Sequence, residues 1–232
     1  TGAGGVELIV SAVSGDAAAV SNIGGGTVSI KTAGQASFDV TGRTAQGLYK
    51  YGDRQNLTVD AKGGSNYKVT STAGDAYGIE AVGSGTTLNY GKVNNVVVEA
   101  TNGSAWGLAA TNGGVLSGDG VNAIKNVTVT ANSANNIASG VYADSNSAVS
   151  DAAVEKLTVS SAGTGYGVFA FNGSVSGDFG SVTAEASNDA IGVFTNGSGG
   201  NASAKLVMSG DLKATSQNSN AKGISAETGS SV

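Results

Sequence analysis

Acid–base chemistry in this chain would have to come from carboxylates, because it contains no histidine and no cysteine. Without those two residue types there is no Ser-His or Cys-His pair, no disulfide and no ordinary zinc or haem ligand set. Two of its 17 Asp and Glu residues flanking a glycosidic bond would make a hydrolase site. The acids are instead scattered. Asp60, Glu99 and Glu185 fall on outward strand positions whose counterparts one repeat away are Thr or Ser, and Asp119, Asp151, Asp178 and Asp211 fall in Ser-Gly-Asp-like turns. The expectation is solvated acids, no catalytic residue and no enzyme. The calcium-binding nonapeptide Gly-Gly-x-Gly-x-Asp and the EF-hand loop are both absent, and Ser117-Gly118-Asp119-Gly120 is one isolated fragment of the former. No metal and no cofactor are expected.

The aromatic residues are better placed for binding. Tyr142, Phe169 and Phe194 recur at one position of a repeat, and Phe171 follows Phe169 by two residues. Stacked coils would set these rings in a ladder about 5 Å apart. An exposed stripe of this kind can stack on sugars or pair with another rod; alternatively a neighbouring loop covers the rings, or they support the ladder. Tyr77, Trp106 and Tyr166, each immediately before a repeat glycine, read as corner packing. Two segments lengthen the repeat, Gly118–Asn126 and Asn132–Ser139, and such loops are places where binding can sit. Six Asn-x-Ser/Thr triplets start at Asn56, Asn102, Asn126, Asn172, Asn196 and Asn201; in a chain so rich in these residues, composition alone accounts for most of them.

The repeat that must position these rings is marked by glycine. Gly47-Leu48, Gly78-Ile79, Gly107-Leu108, Gly140-Val141, Gly167-Val168, Gly192-Val193 and Gly223-Ile224 follow one another at spacings of 25 to 33 residues. One residue after each glycine is aliphatic, the next is variable, and the third is Ala in all but Lys50 and Thr195. Aliphatic-in, variable-out, small-in is a period of two, the signature of a half-buried strand. About ten residues upstream of the glycines lies a second strand: Tyr67–Ser71, Val96–Ala100, Val127–Ala131, Leu157–Ser161, Val182–Ala186 and Leu212–Ser216. A third, weaker strand follows each glycine, at Thr27–Thr32, Asn56–Ala61, Thr86–Tyr90, Gly114–Ser117, Ala148–Ser150, Ser174–Ser176 and Ala204–Met208. Asn-Gly, Gly-Ser and Gly-Asp pairs between them supply turns. At the N-terminus, Ala19 takes the glycine slot.

Three short strands in about 29 residues make one coil of an all-β, right-handed, three-sided parallel β-helix. About eight coils, each about 4.8 Å from the next, give a single solenoid over residues 1–232 and a rod of roughly 40 Å. Leucine-rich repeats need a leucine frame this chain lacks. Propeller blades need about 40–45 residues with Trp-Asp marks, and Trp106 is the only tryptophan.

Composition agrees. Average usage near 5% predicts roughly a dozen prolines, and there are none; a ladder needs the N–H that proline lacks. A net charge of −5, with Arg43 and Arg54 the only arginines, disfavours nucleic acid and anionic lipid as partners. No run reaches the roughly 18 apolar residues of a membrane span. Thr1-Gly2-Ala3 opens into repeat-like sequence with no signal-peptide pattern, and Gly223 to Val232 stops where another strand is due. The expectation is a fragment of a longer solenoid.

The texture Ala-x-Gly-aliphatic-x-Ala, Asn-Gly-Ser-x-Val, Val-Thr-Val resembles the β-helical passenger regions of Gram-negative autotransporter adhesins. Ala105-Trp106-Gly107-Leu108-Ala109-Ala110-Thr111-Asn112-Gly113-Gly114-Val115 and Gly167-Val168-Phe169-Ala170-Phe171-Asn172-Gly173-Ser174-Val175 carry it most clearly, and it extends over essentially the whole chain. Two-partner haemagglutinins and some surface-layer or filament proteins share it. The resemblance implies an extracellular, cell-surface adhesin or self-association stalk, anchored through an outer-membrane barrel outside this chain. Its partners would be glycans or proteins of a host or neighbouring cell, or a second copy. Two other readings stay open: a polysaccharide-degrading β-helix enzyme, which a cleft with two facing carboxylates would mark, and a structural filament or surface-layer subunit.

Overall fold

A computed structural model describes residues 4–23, 26–52 and 56–232. Arg54 and the opening residues 1–3 lie outside this set, as does the side chain of Asn56. The chain is an all-β parallel solenoid of about eight turns, with no helix among the described residues.

The glycine strands make one eight-stranded parallel sheet in chain order: Ala17–Ile23, Ala45–Tyr51, Ala76–Val82, Ala105–Thr111, Ile137–Asp144, Thr164–Phe171, Ala190–Asn196 and Ala221–Glu227. Opposite runs the valine sheet. It stacks Val6–Ser11, Ala36–Gly42, Ser65–Ser71, Val93–Ala100 and Ile124–Ala131, then the long strands Ala148–Ser161 and Ser174–Ala186, and closes with Ala202–Met208, Leu212–Ser216 and Ser230–Ser231. Equivalent residues pair across coils, Val98 with Val129 and Leu108 with Val141 for example. In-register pairing puts the aliphatic slot in one column, and Leu48, Ile79, Leu108, Val141, Val168 and Val193 are all buried there. Burying each such side chain stabilises by roughly 1.5–3 kcal/mol. Ile224, in the last glycine strand, is 59% exposed.

The repeat glycine has a steric cause. A Cβ built on Gly107 would lie 2.4 Å from the carbonyl oxygen of Gly140, the glycine one coil on, and 2.8 Å from Val127 Cγ1 of the valine sheet. Gly47, Gly78, Gly140, Gly167 and Gly192 meet the next glycine's carbonyl at 2.4–2.8 Å in the same way. Both sheets converge at this slot in these six coils, where a residue without a side chain lets them; in the first coil Ala19 fills it. The two exceptions to small residues in the third slot are both satisfied. Lys50 is buried and donates from Nζ to the Thr87 carbonyl at 2.6 Å, and the Thr195 hydroxyl bonds Ser230 at 3.0 Å.

Three separate strands per coil hold only for part of the chain. Thr27–Thr32 pairs with Asn56–Ala61, and Thr87–Asn89 with Val115–Ser117. Further on, the third strand runs without a break into the next valine strand, as Ala148–Ser161 and Ser174–Ala186. The intervals between repeat glycines shorten to 27 and 25 residues there, which leaves no room for a turn. A bulge between Val149 and Ala152, with Asp151 at φ 52°, rounds the corner inside the ladder instead.

The outer face of the valine sheet is polar. Asn66, Asn95 and Asn126 form a side-chain amide ladder with bonds of 2.7 and 2.9 Å, and Lys68–Asp39 and Lys213–Glu185 pair across strands. Of the two lengthening segments, the first is pinned by Asp119, which accepts from the Val121 and Asn122 amides at 2.9 and 2.8 Å. Most of the aromatic surface lies on the other sheet.

Candidate functional site

In each glycine strand the glycine and the aliphatic residue after it both point inward. The residue before the glycine and the residue two after it therefore share the outer face. Strand pairing makes them two adjacent columns: Gln46, Tyr77, Trp106, Ser139, Tyr166 and Ile191 in one, Tyr49, Glu80, Ala109, Tyr142, Phe169 and Phe194 in the other.

This geometry corrects the reading of Tyr77, Trp106 and Tyr166 as corner packing. They belong to the ladder itself. Ring centroids are 6.5 Å apart for Tyr77–Trp106, 4.5 Å for Trp106–Tyr142, 5.2 Å for Tyr142–Phe169 and 5.3 Å for Phe169–Phe194, while Tyr166 stacks on Phe169 at 4.5 Å and on Phe194 at 5.4 Å. The expected spacing of about 5 Å is met. The expected exposure is not met at two positions: Phe169 is 9% and Phe194 8% exposed. With Ile191 they form an apolar cluster of their own, separate from the core and flanked by the half-buried Tyr142, Tyr166 and Phe171. The rings are covered by one another, since each column fills the gaps in its neighbour. Of the predicted residues, the ladder brings Tyr142, Phe169, Phe171 and Phe194 together, and Tyr142 and Phe171 keep partial access to water.

The ladder changes character at its N-terminal end. Ala109 and Ser139 interrupt the two columns, and Trp106 leans across to Tyr142. Beyond them a cleft of about 350 Å³ opens, lined by Gln46, Tyr49, Glu80, Trp106, Tyr142 and Asp144 among others. Glu80 is the unusual member. It is 5% exposed, and one neutral donor, Gln46 Nε2 at 3.2 Å, bonds its carboxylate. Burial pushes the Glu80 carboxyl up to about 8; the Gln46 bond opposes this, and the negative charges of Asp144 and Asp75 reinforce it. None of the ion pairs among the described residues involves Glu80, Asp75 or Asp144. Asp144 accepts from the Asn112 amide at 2.9 Å and from the Tyr142 hydroxyl at 3.2 Å, and Asp75 accepts from the Tyr77 hydroxyl at 3.3 Å. The Trp106 indole Nε1 is buried and has no hydrogen-bond partner.

Sequence reasoning passed over Glu80 and Asp144. The signal was a single acid in a column whose other members are aromatic or small, and it gains meaning only when the pre-glycine column is set beside it. A second cleft, of about 520 Å³, is lined by Lys50, Lys62 and Lys92, but Lys50 and Lys92 bond backbone carbonyls and Lys62 pairs with Asp60. Among the described residues no group of three or more acids is placed to hold a metal ion, and no helix is long and apolar enough to cross a membrane. The chain matches no protein-family profile, no curated protein and no solved structure.

Proposed function

We propose that this solenoid is a non-enzymatic adhesion or self-association module of a secreted bacterial surface protein, built like the passenger region of an autotransporter. Its partners are then glycans or proteins on a host or neighbouring cell, or a second rod. The observation that carries the reading is the aromatic face. Half-buried Tyr77, Trp106 and Tyr142 line an open cleft on a sheet whose other side is a packed core, and the fold has no need of a cleft there. Interface energy concentrates in a few such aromatic anchors, and many parallel rods multiply modest single-site affinity.

Display of the chain on a cell surface tests this. Trp106→Ala with Tyr142→Thr should abolish adhesion or aggregation while the protein still melts as a folded solenoid. Full adhesion by that variant places the binding face elsewhere.

One observation favours a second reading, a glycoside-cleaving enzyme: the cleft holds two carboxyl groups, Glu80 and Asp144, and Glu80 retains its proton near neutrality. Both Asp144 oxygens already accept hydrogen bonds, which lowers the basicity and nucleophilicity of the second carboxylate such an enzyme needs, so binding is the better use of this geometry. Release of reducing ends from polysaccharide, lost in Glu80→Gln, would establish the enzyme.

A further inference from the structure

Resting on the adhesion reading, we infer that the cleft around Glu80 recognises an aminosugar bearing a free ammonium group, of the kind present in deacetylated aminosugar polymers, with Glu80 as the counter-ion of that ammonium.

Three features of the cleft converge on this ligand. The first is charge. Glu80 lines the cleft, is nearly buried and has a neutral amide as its sole hydrogen-bond partner; Asp144 lines the cleft with it, and no lysine or arginine among the described residues does. A carboxyl buried without a cation stays neutral because ionising it there is costly, and an entering ammonium supplies the charge that lets it ionise. A neutral sugar brings no such charge.

The second is the amide lining of the cleft. Gln46 and Asn112 stand on its wall, and each side-chain amide carries an acceptor and donors, so the site suits a ligand that brings acceptors as well as a cation. A lysine side chain offers three donors and no acceptor. An aminosugar offers an ammonium and hydroxyl or ring oxygens within one rigid ring.

The third is how the rings are used. Tyr77 stacks on Trp106 at an interplanar angle of 18°, and Trp106 meets Tyr142 at 33°. Rings that turn their faces to one another do not enclose a cation as an aromatic cage does. Their edges make an apolar wall along which a sugar ring can lie, which leaves the charge to Glu80. A volume of about 350 Å³ lies at the small end of ligand pockets, roughly 300–1,000 Å³. It suits one ring of a polymer lying along the open face.

Binding also moves a proton. The titratable groups around Glu80 are Asp75, Asp144, Tyr49 and Tyr77. With the carboxyl raised to about 8, free Glu80 is protonated at pH 6. The step is a carboxylic acid plus an ammonium giving a carboxylate–ammonium pair plus one released proton. Affinity therefore rises with pH between 5 and 7.

The test is calorimetric titration of the whole chain with a glucosamine tetramer, at pH 6 in two buffers of different ionisation enthalpy. The fully N-acetylated tetramer and a lysine-rich peptide serve as the comparison ligands. The expected result is saturable binding of the glucosamine tetramer with release of close to one proton. The acetylated tetramer and the peptide should bind at least tenfold more weakly. Glu80→Gln, which keeps the size and the Gln46 contact, should weaken binding tenfold or more and release no proton, with its melting temperature at pH 6 confirming the fold. Equal binding of both tetramers, untouched by Glu80→Gln, would overturn the ammonium assignment while adhesion dependent on Trp106 and Tyr142 still stands. Preference for the peptide would overturn the sugar. Cleavage of the tetramer, or no binding by any ligand, would overturn the inference entirely.

Discussion

Replacing Gly107 by Ala adds one methyl group to a place where the two sheets touch. Its Cβ would lie 2.4 Å from Gly140 O, 2.8 Å from Val127 Cγ1 and 3.0 Å from Val129 Cγ2. The valines are fully buried, and their branched side chains turn only between a few rotamers. The carbonyl oxygen belongs to the neighbouring coil's backbone and cannot retreat without straining the ladder, so the cost belongs at the upper end of overpacking, about 3 kcal/mol. Gly223→Ala is the internal control, because nothing lies within 4 Å of a Cβ at that position, and Ala19 already fills the slot in the first coil. Both substitutions restrict the unfolded chain equally, by about 0.4–1 kcal/mol. The difference between the variants therefore isolates the collision. Urea unfolding followed by circular dichroism measures it. Amide exchange should show that Gly107→Ala loosens Ala105–Thr111 and Ile137–Asp144 more than Ala36–Gly42, as a nearest-neighbour stack requires. Equal stability of the two variants would refute the steric account of the repeat glycine.

Val168→Asp sets a carboxylate in the fully buried aliphatic column and should melt the adjoining coils, giving a lost far-UV strand signal or a steeply lowered melting temperature. Glu80 gives stability a pH dependence: its folded pKa of about 8 lies above the ordinary 4.5, so the folded state holds the extra proton between those values. Its contribution is complete below about 4.5 and is lost as pH rises to about 8; Glu80→Gln should flatten that fall in urea midpoints taken at pH 5 and pH 8. Phe169→Ala should destabilise by about 1.5–3 kcal/mol, because that ring is covered, whereas Tyr142→Thr should cost less in melting temperature and more in adhesion.

The solenoid was legible because its cause is periodic. A small residue, glycine in all but the first coil, and an inward aliphatic residue after it recur along the chain, with Ala beyond them in most coils, and Leu108, Val141 and Val168 sit where that period puts them. The fused strands Ala148–Ser161 and Ser174–Ala186 were not legible. A bulge at Asp151 carries the ladder through a corner, and a Ser-Asp pair reads equally well as a turn. The aromatic column was visible through Tyr142, Phe169 and Phe194, but its burial depends on Tyr166 and Ile191 from the adjacent column. That column shares a face with the first only because the glycine breaks the alternation of side chains. Glu80 was hidden for the same reason: its isolation comes from neighbours 26 to 34 residues away in sequence, Trp106 and Gln46 among them.

Trp106 is the only tryptophan and it lines the cleft, so its emission reports on the proposed binding face without a label. The most direct measurement is Trp106 fluorescence and its quenching by acrylamide while the chain is titrated with the ligand or partner cells that it adheres to. Engagement through the cleft predicts a saturable emission shift and loss of quenching, in step with adhesion. Adhesion that proceeds with Trp106 emission and quenching unchanged would contradict the account.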